Sequence, residues 1–290
     1  MKICVVIGSR ADEGLLLWPI KLLQEDGYFQ VDVFYMQRAP LFWIAAEEAT
    51  GYWQEHRPDC VLLLGDRFEI LAASIVAWLM RIPIAHIAGG DVTEGSYDDA
   101  MRDCISRLST WHFVTNEQAL ARLRAQGYSH VHLVGSPGID YIKHGDWLKE
   151  RPYREPYLVV SYQAETMDGT SEIDALLASL PLNTRILFML PNNDRGSDAI
   201  RDAIYAYYVK NHSADVCVSI DHPTFLNLLA YCDEFIGNSS AMFYEAPELG
   251  VPTRLVGKRQ RGRVRPWGDG HASERIVAIL KSFDREQVSV

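Results

Sequence analysis

The sequence predicts an α/β protein built from two doubly wound, Rossmann-like domains facing a cleft. Short β-rich runs alternate with helical stretches, which indicates parallel sheets with helices on both faces. The alternation breaks once, at residues 149–156, where two prolines and five charges fall together, and then resumes. Glycine- and aspartate-rich turns follow the strands, where a parallel sheet presents its carboxyl ends to ligands. The expected domains are residues 1–150 and 151–290.

In the first half, strands are expected at 3–8, 30–35, 60–65, 82–88, 112–115 and 130–135. Helices are expected between them at 13–25, 68–81 and 117–126. The apolar run 70–80 is too short to span a bilayer and stops at Arg81, so it reads as a buried helix. In the second half, strands are expected at 157–161, 185–190, 216–220, 235–237 and 253–256, with a closing helix at 272–283.

A chain of 290 residues has ample length for two cores, and a net charge of −10 argues against a general nucleic-acid surface. The five cysteines are scattered through apolar segments without C-x-x-C spacing and read as core residues in a reducing compartment. The N-terminus carries no secretory signal, so a cytoplasmic protein with no membrane partner is expected. The run from Lys258 to Arg265 holds five cations in eight residues and suits either a bound anion or a solvated loop.

The stretch Gly237-Asn-Ser-Ser-Ala-Met-Phe-Tyr-Glu245 reads as strand, small-residue turn and helix N-terminus. Backbone N–H groups, a helix dipole and two hydroxyls there suit a phosphate or diphosphate, and Glu245 suits ribose hydroxyls. An ordinary capped helix, with Ser239 or Ser240 as the cap, is the competing reading. Earlier strands end in Gly8-Ser-Arg-Ala-Asp12, Gly65-Asp-Arg-Phe-Glu69, Gly89-Gly-Asp-Val-Thr-Glu-Gly95 and Gly135-Ser-Pro-Gly138. Arg10 is placed to pair an anion approaching Gly8. Asp66, Asp91 and Asp98 or Asp99 are able to converge, which predicts a carboxylate-lined cleft. His130 and His132 share one side of a strand but lack a third ligand, so no metal is expected. His86 and His112 read as hydrogen-bonded core residues, and Trp267 as the tryptophan nearest a ligand.

These motifs, joined by Pro191-Asn-Asn-Asp194 and Arg259-Gln-Arg-Gly-Arg263, resemble those of the hydrolysing UDP-N-acetylglucosamine 2-epimerases, which have the glycosyltransferase-B architecture. The resemblance implies an enzyme that eliminates UDP across C1–C2 of a UDP-sugar, then hydrates and reprotonates the glycal. It implies Asp66, Asp91 and Asp98 as acid/base groups, with Arg102 orienting a carboxylate. It implies nucleotide binding by Gly8, Arg10, Asn192, Gly237, Asn238, Ser239, Ser240, Glu245 and Arg259. Ser239, Ser240, Arg10 and Arg259 would hold the diphosphate, and Glu245 the ribose. A homodimer without metal or redox cofactor is implied. So is a product of the N-acetylmannosamine type that supplies nonulosonic acid synthesis. A glycosyltransferase of the same fold and a non-catalytic nucleotide-sugar-binding homologue are the alternatives. Gln163 stands where the family usually has histidine, Asp103 and Arg107 replace its usual histidine and lysine, and Ala241 and Met242 replace serine and glycine. Met242 is expected to crowd the diphosphate turn.

Overall fold

The computed structural model describes residues 1–36, 41–167, 169, 171–192 and 194–282, the side chain of Arg10 excepted. In the first half, strands β1 (Lys2–Ile7), β2 (Gln30–Tyr35), β3 (Cys60–Leu64), β4 (Ile84–Ile87), β5 (Trp111–Val114) and β6 (Val131–Leu133) alternate with six helices. These are α1 (Arg10–Glu25), α2 (Phe42–His56), α3 (Phe68–Leu79), α4 (Asp98–Leu108), α5 (Glu117–Ala125) and α6 (Pro137–His144). The strands form one parallel sheet in the order β2-β1-β3-β4-β5-β6.

The apolar runs of β1 and β3 lie inside because both faces of the sheet are covered. Ile3, Val5 and Ile7 pack with Leu16 and Leu23 of α1, whereas Cys4 and Val6 pack with Trp53 of α2 and Ile70 of α3. Two-residue alternation thus assigns each side chain to one helical layer.

The second sheet contains β7 (Tyr157–Ser161), β8 (Arg185–Met189), β9 (Ala214–Cys217), β10 (Glu234–Gly237) and β11 (Thr253–Leu255), ordered β11-β10-β7-β8-β9. Helices α7 (Ile173–Ala178), α8 (Ser197–Lys210), α9 (His222–Ala230) and α10 (Glu245–Glu248) accompany it, and α11 (Ala272–Lys281) follows. The strand order reverses between β1 and β3 in the first sheet and between β7 and β10 in the second. At such switch points the connections leave in opposite directions and open a crevice for ligands.

The chain divides into two compact units. The first contains Met1–Asp91, Asp98–Gly145 and the described residues from Val264 onward; the second contains Val92–Tyr97 and Asp146–Arg263. The expected domain 151–290 is therefore corrected at its end. Helix α11 belongs to the first unit because its Ile276, Val277 and Leu280 complete that unit's core. Its N-terminal amides are also held there: Ala272 and Ser273 donate to the Asp140 carboxylate at 3.1 and 2.6 Å. The expected helix end at residue 283 lies outside the described residues. No helix among the described residues is long and apolar enough to cross a membrane.

Candidate functional site

Within the first unit, Asp66 follows β3 at a turn that Gly65 makes in the left-handed region, at φ 81°. The next strand leads through Gly89 and Gly90 to Asp91, which is buried, and Asp98 opens α4, half-buried. Arg102 joins these elements. Its guanidinium donates to the Asp66 carboxylate, to Asp99 Oδ1 at 2.5 Å and to the Asp91 carbonyl at 2.6 Å. Arg102 thus engages Asp99, three residues back on its own helix, together with Asp66 from the turn after β3.

The Asp91 side chain is held separately. Its Oδ1 accepts from the Thr115 hydroxyl at 2.9 Å and from Asn116 Nδ2 at 3.0 Å. Asn116 also caps α5 through its other amide atom, which accepts from Ala119 N–H at 2.9 Å. Sequence reasoning missed these two residues. The available signal was a Thr-Asn pair at a strand's carboxyl end, one strand beyond the carboxylates.

Gly8 lies at the end of β1, where an added Cβ would sit 3.1 Å from Ile70 and 3.2 Å from Asp12 Oδ2. Ser9 caps α1 by accepting from Asp12 N–H at 3.2 Å, and Arg10 is the helix's first residue. The role expected of the Arg10 side chain lies outside the described residues. Asp12 is buried, and its Oδ2 has no hydrogen-bond partner among the described residues.

Burial raises the Asp12 pKa from its ordinary 3.8 to about 7, with the Arg67 cation opposing the rise. In this window the unfolded chain has released a proton that the folded chain keeps, so stability falls as pH rises from 3.8 to about 7. Asp12→Asn should lack that fall. Between about pH 4 and about pH 8 the variant should gain on the order of 2–4 kcal/mol relative to the unsubstituted protein. Urea unfolding at both pH values measures the difference, and equal pH slopes would exclude Asp12 as the titrating group.

Within the second unit, the turn after β10 is a close-approach point. Gly237 has φ 139°, and a Cβ there would lie 2.0 Å from the Ser161 carbonyl oxygen, so no other residue fits without moving β7. Ser239 is half-buried and Ser240 exposed, with Ser239 Oγ accepting from Ala241 N–H at 3.3 Å. The helix expected after the turn is short. A three-residue 3-10 turn, Ser240–Met242, is followed by α10, only four residues long. Pro247 lacks the N–H needed to continue the ladder, and Gly250 turns the chain at φ 72°. Hydroxyls and turn amides, rather than a helix dipole, are what this turn offers an anion. Met242 is corrected too, because with Ala241 it is buried in the hydrophobic core beside Leu229 and Phe235, not beside the turn's open side.

The Asn238 side chain bridges both backbone groups of Gln163, accepting from its N–H at 2.6 Å and donating to its carbonyl at 2.9 Å. Asn238 N–H donates to Ser161, and its carbonyl accepts from Gln260 at 3.0 Å. This corrects its expected ligand role to a positioning one. Gln163 extends the same brace, its Oε1 accepting from Asn192 N–H at 2.9 Å, while the Asn192 side chain is exposed. Glu245 is buried with His222 Nε2 3.4 Å from its Oε1.

Cations of the basic run are engaged within the unit. Arg259 donates to the Ala164 carbonyl at 2.7 Å and lies 3.6 Å from Asp194; Arg263 donates to Tyr244 and Thr93 at 3.0 and 2.8 Å. Trp267 belongs to the first unit, where its N–H and carbonyl tie to Thr115 and Ser136 at 2.7 and 2.9 Å. Among the described residues no cluster of three metal-ligating side chains occurs.

A family profile described as UDP-N-acetylglucosamine 2-epimerase matches residues 43–265. The UDP-N,N'-diacetylbacillosamine 2-epimerase (hydrolyzing) of Legionella pneumophila is 29% identical, over 98% of this chain and 86% of that protein. The GDP/UDP-N,N'-diacetylbacillosamine 2-epimerase (hydrolyzing) of Campylobacter jejuni is 32% identical over 73% of this chain, a match spanning 60% of that protein. Among solved structures, the Neisseria meningitidis UDP-GlcNAc 2-epimerase bound to UDP-GlcNAc superposes with a TM-score of 0.78 at 19% identity, covering 98% of this chain and 100% of that one. The Methanocaldococcus jannaschii enzyme in complex with UDP-GlcNAc and UDP gives 0.79 at 16% identity, over 98% and 100%. At these identities the structural likeness is one of fold.

Proposed function

Since the chain belongs to the UDP-N-acetylglucosamine 2-epimerase family, we propose that it is a hydrolysing UDP-sugar 2-epimerase. It converts a UDP-2-acetamido sugar and water into UDP and a free sugar epimerised at C2. The observation that carries this reading is that Arg102 holds the Asp66 and Asp99 carboxylates and the Asp91 carbonyl together, with Asp98 at the start of the same helix.

The hydrogen at C2 is unactivated, so elimination offers the accessible route. A carboxylate removes the C2 proton while the C1–O bond breaks and its electron pair leaves with UDP. Water then adds at C1 of the glycal, and a carboxylic acid returns a proton to C2 on the other face. One carboxyl group must take a proton and another give one, which is why several are needed. Asp66, Asp91 and Asp98 are the proposed acid/base groups. Gly8, Arg10, Asn192, Gly237, Ser239, Ser240 and Arg259 form the proposed diphosphate and nucleotide contacts, and Glu245 takes the ribose hydroxyls. The names of the Legionella and Campylobacter relatives make UDP-N,N'-diacetylbacillosamine a substrate to test beside UDP-N-acetylglucosamine. The same reading carries a cytoplasmic homodimer that supplies nonulosonic acid synthesis.

Proton NMR in deuterated water tests the reaction with either nucleotide sugar. The expected result is UDP release with a C2-deuterated, epimerised free sugar. An epimerised nucleotide sugar without UDP release would overturn hydrolysis, and transfer of the sugar to an added acceptor with release of UDP would indicate a glycosyltransferase. Binding of both nucleotide sugars without turnover would indicate a non-catalytic homologue.

Glu245→Ala tests the nucleotide end. A lost charged hydrogen-bond acceptor is expected to weaken UDP binding by about tenfold to a hundredfold by calorimetry. Unchanged affinity would remove Glu245 from the ribose role.

A further inference from the structure

His86 is completely buried in β4, and both of its ring nitrogens are engaged. Nε2 lies 2.7 Å from the Gly65 carbonyl oxygen, which can only accept, so Nε2 carries the proton. Nδ1 lies 3.1 Å from Ser106 Oγ, and in the neutral ring it accepts the hydroxyl proton. Burial, with the Arg102 cation adding to it, pushes the ring's pKa down to about 4, against the Gly65 bond and the Asp66 charge. Its register partner on β5, His112, is held down to about 3 by burial as well. The ring is therefore neutral in the range where the enzyme would work.

Its two partners belong to the elements that present the carboxylate cluster. Gly65 N–H donates to the Ile87 carbonyl at 3.0 Å, so β4 holds both backbone groups of the residue before Asp66. Ser106 is buried in α4, four residues after Arg102 and on the same helical face. Arg102 in turn pairs with Asp66. The links close a ring: Asp66 to Arg102, one helical turn to Ser106, then His86, then the Gly65 peptide and back to Asp66. Gly89, on the way to Asp91, passes directly over it. A Cβ there would lie 2.8 Å from Ser106 Oγ and 3.0 Å from His86 Nδ1.

We propose that His86 is a positioning residue, fixing the Gly65–Asp66 turn and helix α4 in one register so that Asp66 and Arg102 meet substrate together, a role that rests on the epimerase reading above. It transfers no proton itself. A misplacement of about 1 Å in reacting groups costs on the order of a hundredfold in rate, so losing this brace is expected to act on turnover. The nucleotide contacts proposed for the second unit do not depend on it.

The test compares His86→Leu, His86→Gln and Ser106→Ala in kcat, KM, UDP affinity and thermal midpoint. His86→Leu is expected to lower kcat about a hundredfold, with UDP affinity within about threefold of the parent. Ser106→Ala is expected to lower kcat about three- to tenfold, the worth of one neutral hydrogen bond. Glutamine carries both a donor and an acceptor, so His86→Gln should recover at least about tenfold over the leucine variant. Nitrogen-15 NMR of the intact parent should show the Nε2–H tautomer unchanged between about pH 5 and about pH 8.

A ring that titrates in that window would overturn the proposal, whatever the folding of the variants. So would a Ser106→Ala enzyme of normal thermal midpoint and unchanged kcat. A parent that binds UDP but turns over no nucleotide sugar would instead refute the epimerase reading, while the NMR result still reports on the brace.

Discussion

Asp91→Asn is expected to lower turnover by about a hundredfold to ten-thousandfold while leaving the fold and UDP affinity intact. The isolation of the effect follows from how the side chain is held. Asp91 Oδ1 accepts from Thr115 and Asn116, both donors, and an amide oxygen placed there accepts from the same two groups. The Asp91 carbonyl still receives Arg102, because the backbone is unchanged. What disappears is a carboxyl group that can exchange a proton. Side-by-side measurement of kcat, UDP affinity by calorimetry and the urea midpoint separates these effects. Turnover within about threefold of the parent would remove Asp91 from the acid/base set. A matching fall in the urea midpoint would instead assign it to structure.

Much of the fold was legible because strands buried on both faces must be apolar without interruption. The runs at β1 and β3 announced a covered parallel sheet, and the turns after them announced its carboxyl ends. What escaped depended on distant partners. An amphipathic pattern at 272–283 reveals that a helix has a buried stripe, not which core receives it. The deciding contact is Asp140, 132 residues earlier, which holds the amide of Ala272. The strand expected at 216–220 instead spans Ala214–Cys217. Asp221 starts the next helix by accepting from Thr224 N–H at 2.7 Å, which leaves 218–220 as the approach to that cap. The turn after β10 was recognised, but its helix is short, since Pro247 and Gly250 act as breakers two and five residues after Glu245.

The candidate site divides along the same line. Asp66, Asp91 and Asp98 were visible because they follow strand ends or open a helix, and Arg102 because it lies one turn into that helix. Their partners were not. Arg102 was expected to orient a carboxylate, and the geometry shows it holding Asp99, three residues back, at 2.5 Å and Asp66 from the turn after β3. Thr115 and Asn116 gain meaning only once β5 is known to lie beside β4. Asn238 shows the opposite failure: a polar residue in a ligand-like turn proves to be completely buried, with its side chain bridging Gln163. A one-dimensional motif shows which side chains gather at a strand end. Three-dimensional hydrogen-bond accounting shows which of them are already committed to the protein.

Arg102→Met should both destabilise the protein, by about 3–5 kcal/mol, and abolish most turnover. The Arg102 side chain is 3% exposed, while its partners Asp66 and Asp99 retain 20% and 28%. Removing the cation leaves two carboxylates facing a space without their shared counter-charge, and the Asp91 carbonyl loses its donor as well. That asymmetry makes breaking such a group costlier than its net worth in the intact protein. Arg102→Lys should fall between the parent and the methionine variant. An ammonium keeps the charge but cannot reproduce the planar fork that reaches two carboxylates and a carbonyl. The decisive measurement is a double-mutant cycle in urea with Asp66→Asn. Neutralising Asp66 removes one of the stranded charges, so the double variant should be more stable than Arg102→Met alone while remaining inactive. Simple additivity of the two losses would mean that Arg102 and Asp66 do not act as a pair. Restored turnover in the double variant would mean that neither belongs to the catalytic cluster.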